Sequence, residues 1–461
     1  MAEGIGSACC ANITEVRYAK QPCHMKKIYL LFLLLLASSI RIHPASTGQP
    51  FQVMQPGQGC TVFYAASGDL ALAGNNEDSL NPLTRAWFIP ASDGRYGLVY
   101  FGYDDLWPQG GMNDQGLFFD GLYVPYEALG ISALNPAYPS GASAMLDDVM
   151  ARSATVDEAL AFFEQYRRDG LETGQLFFGD KTGNSAIVEG NAIIRKQGPY
   201  QIATNFRQSE ASGPPYFDGR YNAADERLSR ADSYSVELFR QILDATHQDH
   251  YAQTLYSQVY DLKNGLIYLY LFHDYRNVII LNLDNELAKG SHMASIASLF
   301  PMNQDYDQYS LQKTEEWKLF YSYRIDTTMT PTSLGSLVGK YQVQGDTSAP
   351  PVRIYLENSQ LYLQKPAEVP LELYPDSASS IFHPYYNNSE LRLAFQRSLL
   401  GQVTGAQAKW VAYDDNIFAE YTLDKIGVLS DSQIPWLALL IVLIILTSLV
   451  FVIHRRRALG L

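Results

Sequence analysis

The chain has 461 residues, 47% of them hydrophobic and 18% charged, and its formal net charge is −14. This length suits two or three domains, and the composition excludes collagen-like, low-complexity and coiled-coil proteins. Residues 60–433 carry 26 basic and 46 acidic side chains, which argues against nucleic acid and anionic lipid as partners. No two of the eight histidines lie at a metal-ligand spacing beside a third ligand, so we predict no metal and no cofactor.

The N-terminal region predicts export. Lys26 and Lys27 precede an apolar run, 28–37, that is too short to span a bilayer, which is the pattern of a signal peptide. Synthesis from Met25 fits this pattern best, so residues 1–24 are interpreted as an over-extended start. A genuine leader in front of a signal anchor is the alternative. Residues 25–59 then form a signal peptide and a propeptide, whose second half is rich in Pro, Gly, Gln and Ser.

A β-hairpin is predicted directly after this leader. Residues 60–66 and 70–74 are strand-like and flank a Ser-Gly-Asp turn. With a three-residue loop, residue 66 pairs with residue 70 and Cys60 pairs with Asn76. Cys60 then lies beside a polar run at the end of the second strand, made of Asn75, Asn76, Glu77 and Asp78. Such a run is commonly a solvated turn, but this one lies next to a cysteine.

Strands and grouped helices follow along the chain. A capping box from Thr155 to Glu158 with an apolar stripe predicts one helix, and a second helical region covers 223–245. This alternation predicts an α+β fold in which antiparallel sheets are covered by helices in layers. The predicted strands are 97–103, 110–112, 117–123, 176–179, 185–189, 192–195, 200–205, 266–272 and 278–283.

The C-terminal part predicts a second domain and a membrane anchor. Residues 301–332 are interpreted as a linker, and short strands between Gly, Pro and Asn turns predict a small all-β domain at 333–428. The apolar run 434–453 is long enough to span a bilayer, and three arginines follow it in a tail, 454–461. The positive-inside rule places that tail in the cytoplasm. We therefore predict a single-pass cell-membrane protein with an extracytoplasmic catalytic domain; a sorting tail that is later removed is the alternative.

One cysteine remains in the exported chain. Three of the four precede Met25, namely Cys9, Cys10 and Cys23. A small buried hydrophobe is the simplest role for Cys60, but a single exported thiol is a liability unless it is used. A cysteine nucleophile needs a base, and the histidines are scattered along the chain. If the chain is cut between Gly59 and Cys60, the new α-amine, with a pKa of about 8, can take the thiol proton.

The motifs around Cys60 resemble those of the N-terminal nucleophile (Ntn) amide hydrolases. Cys60-Thr61 opens the first block, and Gly74 to Asp78 closes it. The most similar groups are the choloylglycine hydrolases, the penicillin V acylases and the isopenicillin-N acyltransferase–carcinine hydrolase branch. The resemblance covers about 60–300 and implies a four-layer αββα sandwich, followed here by the small all-β domain and the transmembrane helix. Three further blocks follow in the family's order, at 111–117, 179–189 and 203–206.

The resemblance also implies roles for individual residues. Cys60 matches the nucleophile, its freed amine is the base, and Asp78 holds the resulting ammonium. Asn205 matches the asparagine that donates to the oxyanion. The family has an arginine after this asparagine, for which Arg220 is the best match and Arg227 is the rival.

Two departures separate the chain from bile-salt hydrolases. Asn75 stands where those enzymes have an arginine, so bile-salt specificity is not expected. Tyr123 stands where they have an asparagine, and a backbone N–H or the Tyr123 hydroxyl is the expected substitute for that oxyanion donor. The candidates for substrate binding or the oxyanion hole are therefore Asn75, Asn76, Tyr123 and Arg227.

Together these patterns predict an exported, membrane-anchored cysteine amidohydrolase. It would cleave linear C–N bonds other than peptide bonds through an acyl-thioester on Cys60. The predicted partner is a small acyl-amide substrate, and the membrane is contacted through the C-terminal helix. An acyltransferase with the same nucleophile is one alternative, and a non-catalytic surface binding protein on the same fold is the other.

Overall fold

A computed structural model describes residues 59–214, 216–250, 252–346, 350–377, 379–385, 389–411 and 417–427. The segments predicted as an over-extended start, a signal peptide, a transmembrane helix (434–453) and a cytoplasmic tail all lie outside these described residues. Among the helices in the described ranges, none has both the length and the apolar character needed to cross a membrane.

Two antiparallel sheets form the N-terminal part of the described residues. They are built from β1 (Thr61–Ser67), β2 (Leu70–Ser79), β3 (Thr84–Ile89), β4 (Leu98–Tyr103), β5 (Pro108–Asn113), β6 (Leu117–Tyr123), β7 (Gly174–Asp180), β8 (Ser185–Glu189), β9 (Ile193–Arg195), β10 (Tyr200–Ala203), β11 (Gln253–Asp261), β12 (Leu266–Leu271), β13 (Asp274–Asn282) and β14 (His292–Ser295). The first sheet has the order β10-β1-β2-β11-β12-β13, and the second has the order β14-β3-β4-β5-β6-β7-β8-β9. No predicted strand covers β3 or β11, and β11 is the strand that lies against β2.

The two sheets pack face to face, and helices cover their outer faces. The helices are α1 (Ala142–Arg152), α2 (Val156–Gln165), α3 (Gly219–Ser229) and α4 (Val236–Thr246). The core between the sheets contains Tyr64, Phe118 and Tyr260. A second core joins α1 and α2 to the second sheet, and a third joins α3 and α4 to the first sheet. The layers therefore follow the predicted αββα order.

The first hairpin pairs in a different register from the predicted one. Thr61 lies opposite Asn76, because the serine of the predicted loop belongs to β1 and the loop has two residues. Gly68 at its first position has a φ of 56°, as a type II′ turn requires. The predicted pairing of Cys60 with Asn76 is therefore wrong by one residue. Cys60 lies beside Glu77 instead, and their side chains share the face toward the second sheet.

The second predicted helical region is two helices rather than one. Residues 223–245 include the end of α3, a break, and most of α4. Ser235 causes the restart, because its side chain accepts a hydrogen bond from the backbone N–H of Leu238 and so caps α4. The break allows α3 to present its first turn to Cys60, just before the start of β1, while α4 lies along the first sheet.

Three further helices are α5 (Leu283–Leu287), which lies between β13 and β14, and α6 (Gln304–Tyr321) and α7 (Pro331–Gly335), which follow the sandwich. The segment predicted as a linker, 301–332, thus contains an 18-residue helix. Tyr306 near its start donates to the carbonyl of Pro82 in the sandwich. Tyr321 at its end packs on Phe382, with ring centroids 6.3 Å apart. Because Phe382 belongs to the C-terminal domain, α6 contacts both domains.

The C-terminal domain is a closed antiparallel barrel whose strands follow one another in sequence order. They are β15 (Gly339–Val343), β16 (Val352–Glu357), β17 (Gln360–Gln364), β18 (Leu371–Ser377), β19 (Ser380–Pro384), β20 (Glu390–Arg397), β21 (Val403–Val411) and β22 (Ile417–Gly427). Its core is separate from those of the sandwich and includes Ile354, Leu373 and Leu393. These strands lie within the range predicted for the small all-β domain.

Candidate active site

Cys60 lies immediately before β1 and is fully buried. Its backbone N–H donates to Asn205 Oδ1 at 2.8 Å, and its carbonyl oxygen accepts from Arg220 Nη1 at 3.1 Å. Its thiol Sγ lies 3.5 Å from Glu77 Oε2, and the backbone N–H of Asp78 also donates to the sulfur. The nitrogen, the carbonyl and the sulfur of this residue are thus each held by a different partner.

Asp78 lies near the end of β2, where its fully buried side chain points to the opposite face from that of Glu77. Its Oδ2 accepts from Gln248 Nε2 at 2.5 Å, and its Oδ1 accepts from the Thr254 hydroxyl. Arg220 Nη1 lies 3.7 Å from Oδ2. Burial raises the pKa of Asp78 to about 7, although these three partners favour the carboxylate. Near neutral pH, therefore, both the acid and the carboxylate are populated.

Asn205 and Arg220 form a clamp over the backbone of Cys60. Arg220 Nη2 donates to Asn205 Oδ1 at 3.0 Å, and Asn205 Nδ2 donates to the carbonyl of Tyr123 at 2.9 Å. Arg220 belongs to the first turn of α3, where the N-cap residue Asp218 accepts from its backbone N–H at 2.9 Å and from Nη2 at 2.8 Å. The cap of one helix therefore fixes the arginine in place.

Asn76 and Arg227 do not reach Cys60. The Asn76 side chain lies on the helix-covered face, where Nδ2 donates to Leu243 O and Thr246 Oγ1, both at 3.0 Å. Arg227 lies in the last turn of α3 and donates to Ala223 O at 2.9 Å. Asn76 thus anchors α4 to the first sheet, and the roles predicted for these two residues in substrate binding or in the oxyanion hole are corrected.

Asn75 and Tyr123 border the site in different ways. Asn75 Nδ2 donates to Glu77 Oε1 at 3.1 Å, while its buried Oδ1 has no hydrogen-bond partner in the described part of the chain. Tyr123 is the last residue of β6 and contributes its carbonyl oxygen, which Asn205 contacts. The Tyr123 atom that reaches Asn205 is therefore an acceptor rather than the hydroxyl donor considered from the sequence.

The structure places two buried carboxyl groups beside the Cys60 thiol that were not among the predicted site residues. Glu77 on β2 and Asp120 on β6 belong to different sheets, are fully buried, and lie close enough for the charge of Glu77 to raise the pKa of Asp120. Within the described residues neither oxygen of Asp120 accepts a hydrogen bond, so burial and the neighbouring charge favour its protonated form. Burial raises the pKa of Glu77 to about 8 and that of Asp120 well above its usual range. The two-residue alternation of β2, which places Glu77 on the same face as Asn75, was the available signal.

Gln248 is a further residue at the site that the sequence did not reveal. Besides its bond to Asp78, its Nε2 donates to the carbonyl of Gly59 at 3.4 Å. A Cβ on Gly59 would lie 2.4 Å from Gln248 Nε2 and 2.7 Å from Arg220 Nη1, so this position accepts only glycine without a shift of these groups. Gln248 and Thr254 come from the connection between α4 and β11 and from the start of β11, where no motif marks them.

The arrangement can hold a nucleophile and requires a base to activate it. Burial, together with Glu77, Asp78 and Asp120, raises the pKa of the Cys60 thiol well above its usual range. The nitrogen of Cys60 is an amide in this chain and becomes basic only if the bond to Gly59 is cut. Within the described ranges, no cluster of His, Cys, Asp and Glu has the arrangement of a metal site.

No protein-family model and no curated protein matches the sequence. Among solved structures, the chain is similar to a mutant of conjugated bile acid hydrolase from Clostridium perfringens, with 16% identity, a TM-score of 0.40, and coverage of 53% of this chain and 97% of that chain. A variant of the same hydrolase has 18% identity, a TM-score of 0.40, and coverage of 51% and 96%. Penicillin V acylase from Agrobacterium tumefaciens has 17% identity, a TM-score of 0.39, and coverage of 51% and 90%. The structural neighbours are thus a bile acid hydrolase and a penicillin V acylase, two of the groups that the sequence motifs resemble.

Proposed function

We propose that this chain is a cysteine amidohydrolase that cleaves linear C–N bonds, other than peptide bonds, from an N-terminal Cys60. The proposal rests on one observation, the convergence of Asn205, Arg220 and Asp78 around the backbone of Cys60. These side chains come from three elements that are distant in sequence. The backbone N–H and carbonyl of Cys60 are held by side chains from distant elements rather than by a neighbouring strand.

The proposed reaction begins with a cut between Gly59 and Cys60, which converts an amide nitrogen into an α-amine beside Asn205. The neutral amine takes the thiol proton, and the thiolate attacks the substrate's carbonyl carbon to form a C–S bond. The C–N bond breaks as the ammonium returns its proton to the leaving nitrogen. Water then attacks the thioester and gives a proton to the amine, which releases the acid and restores the thiol.

Three neighbours of Cys60 have defined roles in this reaction. Asp78, as a carboxylate, favours the ammonium form of the new α-amine, which forms transiently in each half of the cycle. Asn205 Nδ2 carries two N–H groups, and the carbonyl oxygen of Tyr123 accepts a hydrogen bond from one of them. The other N–H is the proposed donor to the tetrahedral oxyanion. Arg220 holds the carbonyl of Cys60 and the oxygen of Asn205, so it keeps that donor in position.

The proposal includes export and anchoring. It is supported by the apolar run 28–37 after two lysines, and by the apolar run 434–453 before three arginines. The mature protein would then be held at the cell membrane with its catalytic domain outside. Fractionation and protease protection of intact cells would test this, because a C-terminal epitope should resist protease added from outside.

The decisive experiment is the N-terminal sequence of the mature protein. The proposal expects a chain that starts at Cys60, and a mature chain that starts well before Cys60 would refute the α-amine mechanism. A panel of acyl amides, assayed by amine release, should show turnover by the wild type and none by Cys60→Ala. Adding an acceptor amine to the same assay distinguishes hydrolysis from acyl transfer. If ligands bind but no amide in the panel is cleaved, the result favours the binding-protein alternative.

A further inference from the structure

Before the Gly59–Cys60 bond is cut, the chain lacks the α-amine that acts as the base in the proposed reaction. Cleavage of the Gly59–Cys60 bond by the Cys60 thiol needs a base, but the α-amine that serves later turnovers does not yet exist. The nitrogen of Cys60 is still an amide, and it donates its hydrogen to Asn205. The proton of the thiol must therefore go elsewhere during this first reaction.

We propose that Glu77 and Gln248 are the catalytic residues of self-cleavage at the Gly59–Cys60 bond, with Glu77 as the base and Gln248 as the donor to the scissile carbonyl. This inference rests on the proposed function, because it explains how the N-terminal Cys60 arises. Glu77 Oε2 lies 3.5 Å from Cys60 Sγ, and Gln248 Nε2 lies 3.4 Å from the Gly59 carbonyl oxygen. The two groups thus contact the atom that attacks and the oxygen that gains charge.

Self-cleavage moves one proton through Glu77 and exchanges the Gly59–Cys60 C–N bond for a C–S bond. Cys60 Sγ gives its proton to Glu77 Oε2 and attacks the carbonyl carbon of Gly59, forming a C–S bond in a five-membered ring. The oxygen gains negative charge, which the Gln248 N–H stabilises. The C–N bond then breaks, and Glu77 returns the proton to the nitrogen of Cys60, which leaves a thioester and a free α-amine. Water hydrolyses the thioester, releases the carboxylate of Gly59 and restores the thiol.

The surroundings of Glu77 suit a base that works near neutral pH. Asp120 keeps its proton because burial and the charge of Glu77 raise its pKa well above the usual range, and burial raises the pKa of Glu77 to about 8. A base works best when its pKa lies near the working pH. The titratable groups that face Glu77 are Cys60 just before β1, Tyr103 on β4, Asp120 on β6, and Tyr256 and Tyr260 on β11; the neighbouring Asp78 on β2 acts on it from the opposite face.

The test follows cleavage of the full chain made by cell-free synthesis in detergent, with mass spectrometry of the N-terminus over time. Wild-type cleavage should accelerate as pH rises from 6 to about 8 and then level off, because the base must be ionised. Glu77→Gln should slow cleavage by about 10²–10⁴-fold and remove this pH dependence. Gln248→Met, which has a similar length but no N–H, should slow cleavage by about 10²–10³-fold.

A buried carboxyl group elsewhere provides the matched control. Burial also raises the pKa of Asp105 to about 7, but Asp105 lies with Lys365 and Trp410 around a pocket between the sandwich and the barrel. Asp105→Asn should be cut at the wild-type rate, and circular dichroism should show that every variant is folded.

If the Glu77→Gln chain is cut at the wild-type rate, or with the wild-type pH dependence, the inference is overturned while the proposed function stands. Equal slowing in Asp105→Asn would also overturn it. A wild-type chain that is never cut at this bond would overturn both. Cleavage measured by mass does not depend on the amide substrate, so a failed amidase assay leaves this test intact.

Discussion

The buried carboxyl of Asp78 should make the uncut protein less stable as the pH rises. Its pKa is raised from an ordinary 3.8 to about 7 by burial, so the folded chain binds this proton more tightly than the unfolded chain does. The protonated Asp78 carboxyl contributes its full stabilisation to the folded chain below pH 3.8, and this contribution to the free energy of unfolding is lost as the pH rises towards 7. At about 1.36 kcal/mol for each pKa unit, the loss amounts to about 4 kcal/mol.

Asp78→Asn tests this directly, because asparagine has the shape of the protonated acid and does not titrate. In a Cys60→Ala background, where neither chain can be cut, the variant should match its parent at pH 4. Above pH 7 it should be more stable by up to about 4 kcal/mol, which urea unfolding measures. With Cys60 present, the same variant should lose amide turnover, since the carboxylate that favours the ammonium is gone.

The control for this measurement is Asp93→Asn, because Asp93 lies in an exposed turn. It should change the free energy of unfolding by less than about 0.5 kcal/mol at every pH. A stability difference between Asp78→Asn and its parent that stays constant from pH 4 to pH 8 would refute the reasoning, and so would a difference that shrinks as the pH rises.

Three further predictions concern the other residues around Cys60. Asn205→Ala should lower amine release by about 10²–10³-fold, because an oxyanion donor is lost, and a loss below threefold would contradict that role. Arg220→Leu removes hydrogen bonds from a charged group, each worth about 1.5–3 kcal/mol, and should therefore lower amine release at least tenfold. In the control variant Arg227→Leu, amine release should stay within about twofold of the wild type. Asn76→Ala should lower the free energy of unfolding by about 1–3 kcal/mol, because it removes two buried hydrogen bonds to α4, and an unchanged urea midpoint would exclude this anchoring role.

Features that depend on neighbouring residues could be predicted from the sequence. The capping box is confirmed, since Thr155 accepts from the backbone N–H of Glu158 at the start of α2. The predicted hairpin also forms, because its apolar strands and its turn lie within twenty residues. That hairpin, together with the motifs that resemble those of the Ntn amide hydrolases, predicts Cys60 and Asp78 as site residues, and the structure brings both to one site.

Features that depend on one residue of register or on the packing of distant elements could not be predicted. Assigning one serine to the loop rather than to β1 placed Cys60 opposite Asn76, so the contact between the thiol and Glu77 was not seen. Arg220 and Arg227 belong to one helix, and only the position of that helix decides between them. Gln248 reaches the site from a connection that carries no repeating pattern, so only the tertiary structure reveals it.

The close approach of Gln248 and Arg220 to Gly59 has a consequence for the choice of substrate. After processing, a substrate's acyl group bonded to the same sulfur has the connectivity of the Gly59 thioester, so its α-carbon replaces the glycine Cα in that thioester. A branch on that carbon would point to the place where a Cβ lies 2.4 Å from Gln248 Nε2 and 2.7 Å from Arg220 Nη1. We therefore expect straight-chain acyl groups to fit without movement, and acyl groups substituted next to the carbonyl to require a shift of the flexible ends of Gln248 and Arg220.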